Sequence, residues 1–415
     1  MSALWLIVRR SLRQHALSTG VTVASLALAC GLVMAVFSIE RQSRSAFSGG
    51  SGAFDAVLGA RGSQLQLVLN AIFHLETSPG NLPWELYERV AADPRVEAAV
   101  PYAVGDSYRG HRIVGTIPEA FAIAQGGEPR LAAPGRLFDP GLREAVIGSG
   151  VARRTPLAYG ARFQPAHGVI EAGAHDHDED FVVVGVLEPT NSPADRVIWI
   201  PIDAVFRMGG HVLRGAGEDY EADPTMPIPA EHKEVSAVLL KLKSGMMGAS
   251  LFREINYEEQ GATLAWPVAR VMAELFDKMG WVHRILTLVA YLVVAVATGS
   301  VTACLYNTMN ERRREFAILR SLGARRRTVF AVIVCESSAI AVAGGVFGLV
   351  VHGAIMAAAA SLVRAQTGVV IAVFEPHPVL VLAPLGLIAL GALAGVVPAL
   401  KAYRTDVATH LAPTS

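Results

Sequence analysis

Charge is scarce in this chain. Asp, Glu, Lys and Arg make up 17% of its 415 residues, where a soluble globular domain carries about a quarter. The 36 basic and 36 acidic side chains cancel, so no global field recruits nucleic acid or an acidic ligand. Cysteine is almost absent. Cys30, Cys304 and Cys335 all lie in apolar runs, which argues against a disulfide framework in the polar middle of the chain. No G-x-x-x-x-G-K-S/T stretch occurs. Gly148-Ser-Gly150 lacks the lysine and the spacing, so ATP is not bound by a P-loop. The histidines are scattered, and no Ser/His/Asp arrangement follows from residue order.

What is present is four apolar runs. Ala16 to Ile39, Ile285 to Tyr306 and Pro378 to Leu400 carry no charged residue, and Thr328 to Val363 contains only Glu336 and His352 as ionisable groups. A helix needs about 20 apolar residues to cross the hydrocarbon, and each run meets that length. The first run follows Arg9, Arg10 and Arg13 but is longer than the apolar core of a secretory signal, about 7–15 residues, and reads as a retained span. Four spans put both termini on one side. Arg9, Arg10, Arg13, the basic loop at 312–327, Lys401 and Arg404 then face the cytoplasm, with fewer cations (Arg41, Arg44, Lys278, Arg284, Arg364) opposite.

Residues 1–15 read as an amphipathic helix on the inner leaflet, with Leu4, Trp5, Ile7 and Val8 as apolar contacts. Ser48 to Gly52 is a flexible joint. The polar middle, residues 53–270, mixes strand and helix signals. Asn81 to Ala92 reads as a helix with Pro83 in its first turn. Val96 to Val104, His111 to Thr116, Glu144 to Gly148, Phe181 to Leu187, Val197 to Ile200 and Val235 to Leu242 read as strands, and Ser149 to Arg154 as a helix start. This mixture suggests an α+β domain. Arg207 to Glu231 is rich in Gly, Pro and acid and reads as an irregular loop. Val268 to His283 is helical in pattern and runs into the second span, either as a stalk or as a plain surface helix.

Three features carry chemistry. Between the second and third spans lies a basic segment with Arg312, Arg313, Arg314, Arg320, Arg325, Arg326 and Arg327. Phe316, Leu319 and Leu322 fall at helical spacing in it, and Gly323 is a helix stop. It serves either as a positive-inside anchor or as a docking helix. Ala174 to Asp180 places His175, Asp176, His177 and Asp178 together. His-x-His can put both rings on one side of a strand, and imidazole with carboxylate suits zinc, with His167 as a third ligand. A solvated hairpin tip has the same composition. Glu336 within a span reads as an interface pair with an arginine of the basic loop, and His352 as a hydrogen-bonded packing residue. Gly344 with Gly348, and Gly391 with Gly395, have the spacing that lets helices approach closely.

The stretch Asn310 to Val329, Cys335-Glu-Ser337, the glycines from 344 and the tail Val397 to Ala408 together resemble the FtsX-like permease domain of ABC transporters. Phe54 to Gly62 and Glu144 to Ser149 are similar to pieces of the periplasmic domains of MacB-type and lipoprotein-releasing permeases. The resemblance implies a membrane α-helical protein of four transmembrane helices, with an α+β extracytoplasmic domain inserted between helices 1 and 2, in the inner (plasma) membrane. The implied divisions are 1–15, 16–39, 40–283 with a stalk, 284–308, 309–327, 328–363, 364–377, 378–400 and 401–415. It implies that ATP and Mg are bound and hydrolysed by a separate ABC ATPase subunit, that this chain binds no cofactor except possible zinc, and that a second permease chain pairs with it as homodimer or heterodimer. Glu311, Arg312, Arg313, Glu315, Phe316, Leu319, Arg320 and Leu322 would then couple to the ATPase, with Phe316 and Leu319 filling a groove on it. ATP-driven motion would pass through the spans into the external domain to release lipoprotein or to export a periplasmic amphiphile or peptide. A non-transporting scaffold that activates a periplasmic partner protein, in a metal-linked version or not, is the alternative. Unlike MacB itself, the chain has no ATPase domain of its own.

Overall fold

The structure, a computed structural model, describes residues 3–49, 54–168, 179–208, 226–321, 323–368 and 370–404. In chain order they form α1 (Ala3–Gln14), α2 (Ala16–Gly49), β1 (Ala56–Ala60), α3 (Gln64–Ala71), β2 (Leu82–Pro83), α4 (Trp84–Ala91), β3 (Val96–Tyr108), β4 (His111–Thr116), α5 (Glu119–Gln125), β5 (Glu144–Ile147) and α6 (Ser149–Arg154). Then come β6 (Arg162–Phe163), β7 (Ala166–His167), β8 (Phe181–Val186), β9 (Ile198–Pro201), α7 (Ile202–Phe206), β10 (Glu234–Val235), β11 (Ala237–Leu242), α8 (Gly245–Arg253), β12 (Ala262–Ala265), α9 (Val268–Lys278), α10 (Gly280–Glu311), α11 (Arg313–Ser321), α12 (Arg326–Thr367) and α13 (Val379–Arg404). Contacts divide them into two compact units. One is drawn from 1–43, 279–361 and 371–415, the other from 44–278 and 362–370.

The first unit is helical. Four of its helices, α2, α10, α12 and α13, are long and apolar enough to cross a membrane. They converge on Leu26, Cys30 and Met34 of α2, Val301 and Leu305 of α10, Ile340 and Ala341 of α12, and Leu387 and Ala394 of α13. Their outer surface is apolar too. Leu288, Leu292 and Val296 of α10, Val346, Phe347 and Val350 of α12, and Leu382, Leu385 and Leu393 of α13 are exposed. A helix apolar all round belongs in hydrocarbon or in a large core, and nothing here supplies the core. Small residues set the helix contacts. A Cβ built on Gly344 would sit 2.6 Å from the Leu26 Cβ, and one on Gly348 2.8 Å from the Cys30 Cβ. On α13, a Cβ at Gly391 would meet that of Ala341 at 2.5 Å, and one at Gly395 that of Ser337 at 2.8 Å. The glycines therefore seat α12 on α2 and α13 on α12. Pro384 and Pro398 lie inside α13, a placement that transmembrane helices tolerate.

The second unit is a mixed sheet in the order β12-β1-β11-β3-β4-β9-β5-β8-β6, with β7 paired to β3. Among the described residues only β4 with β9 and β5 with β8 run parallel. Neighbouring residues of one strand enter different cores. Leu58, Ile147, Ile198, Ile200 and Leu240 pack on one face with α4, α6, α7 and α8. Val57, Val146, Trp199 and Leu239 pack on the other with α3, α5 and α9. Both faces are covered, which is why Phe181–Val186 and Ile198–Pro201 are apolar throughout instead of alternating. The domain is thus a mainly antiparallel sheet with helices on both faces, a mixed helix-and-strand domain in line with the α+β expectation.

Four local expectations are corrected. Pro83 is the residue before α4, and its backbone pairs with β10. The Val235–Leu242 strand divides at Ser236, whose hydroxyl is engaged by Asn81 and the Val104 amide. The helix expected to run from 268 into the span is interrupted at Met279. Its first turns are not a free stalk, because Val268, Val271 and Met272 belong to the α/β core. The third span was expected to end at 363 and an external loop to follow over 364–377, but α12 continues to Thr367; residues 362–370 group with the α/β unit, where Arg154 Nη1 donates to the Ala365 carbonyl at 3.1 Å.

Candidate functional site

The basic segment folds as a break, a short helix and a turn. α10 ends at Glu311, and Arg312 leaves helical geometry with φ −97° and ψ 9°. α11 then runs from Arg313 to Ser321. Gly323 adopts φ +98°, a left-handed position that glycine fills without a Cβ penalty. Its amide and that of Ala324 cap the Arg320 and Leu319 carbonyls, the arrangement expected of a glycine stop.

Arg312 does not face solvent. It is 7% exposed, and Glu336 on α12 is 5% exposed. Arg312 Nη1 donates to Ser11 Oγ of α1 and reaches Glu336 Oε2 at 3.4 Å. Ser11 Oγ in turn donates to Glu336 Oε1 at 2.6 Å. Arg312 Nε donates to Glu315 Oε2 at 3.1 Å, and its guanidinium carbon stands 5.0 Å from the centre of the Phe316 ring. A charge buried in an apolar bundle needs such a partner. The network joins α1, the α10–α11 junction and α12 through side chains 24 and 301 positions away from Arg312.

The apolar stripe of α11 also turns inward. Phe316 is buried with Met309, Val329, Ile333 and Ala399, and Leu319 packs beside them. This corrects the expectation that Phe316 fills a groove on another protein, because its groove is supplied by this chain. Glu311, Glu315 and Ile318 form the exposed side. Glu315 and Ile318 are three apart within α11 and share a face, while Glu311 is the exposed last residue of α10. Glu311 also lies 3.7 Å from His15 Nδ1. Arg320 is half-buried. Arg313 sits on the α11 backbone with its side chain outside the description, and Leu322 lies outside the described residues. His175, Asp176, His177 and Asp178 also lie outside them. Among the described residues no group of three or more His, Cys, Asp or Glu converges as metal ligands, and His167 lies 3.2 Å from Asp106 instead. His352 is buried, and its Nδ1 has no hydrogen-bond partner among the described residues. Its ring meets Phe374 edge-on at 5.9 Å, so its packing is aromatic and not the hydrogen-bonded kind expected.

Sequence reasoning did not find Ser11. A serine in an amphipathic helix carries no signal of a partner three hundred residues away. Glu336 did carry one, as a lone carboxylate in an apolar run.

Four helices long and apolar enough to cross a membrane, a mixed α/β unit and a short basic helix tied by a buried ion pair are the features that the comparisons with known proteins have to match. The chain matches the MacB-like periplasmic core domain over residues 19–255, more than half its length, and the FtsX-like permease C-terminal domain over 287–407. It belongs to the FtsX-like, MacB-type ABC transporter permeases. An uncharacterized ABC transporter permease of Methanocaldococcus jannaschii is 24% identical over 174 residues, a match spanning 42% of this chain and 40% of that relative. Among solved structures, the periplasmic region of MacB from Actinobacillus actinomycetemcomitans aligns with a TM-score of 0.34 at 10% identity, over 56% of this chain and 94% of that one. The extracellular domain of the noncanonic ABC-type transporter YknZ from Gram-positive bacteria aligns with a TM-score of 0.29 at 14% identity, over 51% and 99%.

Proposed function

We propose that this chain is the transmembrane subunit of an ABC transporter, and that a separate ATPase docks on the exposed side of α11 and drives motion of the α/β domain. In this reading the four spans cross the inner membrane with both termini and α11 in the cytoplasm. The α/β domain stands outside, inserted between the first and second spans. A second permease chain completes the assembly, and the cargo is a lipoprotein or another periplasmic amphiphile or peptide.

The observation that carries the reading is the buried Ser11–Arg312–Glu336 network. A push on α11 cannot be absorbed locally, because Arg312 is bonded to both α1 and α12. Helix length supports it as well. At 1.5 Å per residue, the 34 residues of α2 and the 42 of α12 extend about 51 and 63 Å. The hydrocarbon is about 30 Å thick, so both rods continue well past it.

Ile318, 45% exposed, is the apolar centre of the exposed face. Ile318→Asp should weaken co-purification with the co-expressed ATPase by at least about tenfold, the loss of a central contact, while leaving the thermal midpoint of the permease unchanged. Undiminished co-purification would remove α11 as the docking element.

A further inference from the structure

The α/β unit carries an open groove of about 850 Å³ between α3, α8 and α9. Three rings line it in a continuous strip. Phe252 stands 6.2 Å from Trp266 and 6.0 Å from Tyr257, centre to centre. Tyr257 is 66% exposed, and Phe252 and Trp266 are half-buried. Leu275 of α9 adds an aliphatic contact.

The same groove is cationic. Arg253, Arg270 and Lys278 line it against a single acid, Glu274. Arg270, Glu274 and Lys278 are four residues apart and so lie on one side of α9, over about 12 Å. Glu274 is taken by Arg270 at 3.0 Å. Among the described residues Arg253 and Lys278 have no acidic partner. The acids next to them in sequence are engaged elsewhere, Glu254 with Arg95 and Asp277 with Arg44. Solvated cations are ordinary on a surface. Here they border a strip of exposed ring surface, and the chain fixes what lies close by. Lys278 is two residues from Gly280, where α10 begins, so its Cα is at most about 8 Å from that of Gly280. Trp281, 62% exposed, is the kind of residue that marks the headgroup level of a span.

We propose that this groove docks an anionic phospholipid from the leaflet that α10 enters, with its phosphate among the groove's cations and its apolar part along the ring strip. Charge complementarity selects the sign, and the rings select an amphiphile over a bare anion. A second copy of this chain would present a groove of the same charge. The proposal holds whether or not an ATPase docks on α11.

Native mass spectrometry of the full chain released from detergent micelles tests it, with phosphatidylglycerol, phosphatidylcholine, glycerol 3-phosphate and hexaglutamate as probes. Phosphatidylglycerol should bind at its tightest site at least about tenfold more tightly than phosphatidylcholine. Arg253→Gln/Lys278→Gln should weaken that site about tenfold or more, the contribution of two cations beside an anionic headgroup, and leave phosphatidylcholine unchanged. Both side chains are exposed, so the thermal midpoint should not move. Arg253→Lys/Lys278→Arg, which keeps both charges, should bind as the parent does. Arg9→Gln/Arg10→Gln on α1 should leave the tightest site intact. Equal binding of the two lipids, or a preference lost with the α1 pair and kept with the groove pair, would overturn the assignment. Glycerol 3-phosphate or hexaglutamate binding as tightly as the lipid would make the groove a site for a free anion or an acidic protein segment, and would overturn it too.

Discussion

Removing the carboxylate of Glu336 tests the network at its centre. In Glu336→Ala the Arg312 guanidinium and the Ser11 hydroxyl remain in a site where Arg312 is 7% and Ser11 2% exposed. Glu315 still accepts from Arg312 Nε, so the loss is bounded by the about 3–5 kcal/mol that an uncompensated buried charge costs. At about 2–4 °C per kcal/mol for a chain portion of this size, the thermal midpoint of the helical unit should fall by several degrees and by no more than about 20 °C. Arg312→Met should be similarly damaging, since it leaves the Glu336 carboxylate alone. The double variant Arg312→Met/Glu336→Met removes both charges at similar volume and should recover most of the loss, because replacing both partners of a buried pair is often neutral. Intrinsic fluorescence of the purified chain in detergent reads the midpoints, and the cycle isolates the coupling. In the proposed coupling through α11, the double variant should at the same time lose stimulation by a co-reconstituted ATPase, since the tie between α11 and α12 is gone. Single variants within about 2 °C of the parent, or a double variant showing only the sum of two small effects, would show that the pair is not a buried lock.

Two further outcomes follow from the structure. Burial first, then Arg112 and Arg196, hold the His74 pKa at about 3 in the folded protein, against 6.5 when unfolded, so between those values the unfolded chain binds the extra proton and stability falls as pH falls. From pH 7.5 to pH 5 the loss at this one site is about 2 kcal/mol, and denaturant unfolding of His74→Asn, whose side chain tolerates the φ of +54° at this position, should show a shallower decline by that amount. A slope identical to the parent's would refute the assignment. Gly344→Ala should lower the thermal midpoint by the equivalent of about 1–3 kcal/mol through overpacking on Leu26. Gly386→Ala, where a Cβ meets nothing within 4 Å, should leave it unchanged or raised, and equal effects would contradict the packing.

Much of the helical unit was readable because the bilayer imposes a length that no other environment requires. The runs at 16–39, 285–306, 328–363 and 378–400 differ from α2, α10, α12 and α13 chiefly in their polar end turns. In the α/β unit, β4 and α6 match the expected 111–116 and 149–154. β1, α3, α5 and β12 were not anticipated. Ala56–Ala60 and Ala262–Ala265 are short, small-residue strands buried on both faces, so the alternation that marks a half-buried strand is missing. At the candidate site, the stripe of Phe316 and Leu319 was legible but its direction was not. An amphipathic helix states that one face is covered, and only tertiary packing tells whether the cover is the same chain or another.

Met279 interrupts the path from α9 to α10, but the unit boundaries at Ser43/Arg44 and Ser361/Leu362 fall inside α2 and α12, which are unbroken. A continuous helix carries azimuth as well as length. One residue inserted in such a helix turns the helical residues that follow by about 100°, whereas seven inserted residues restore their facing to within about 20°. Within each of these two helices, which residues share a face is therefore set by a count taken modulo the helical repeat.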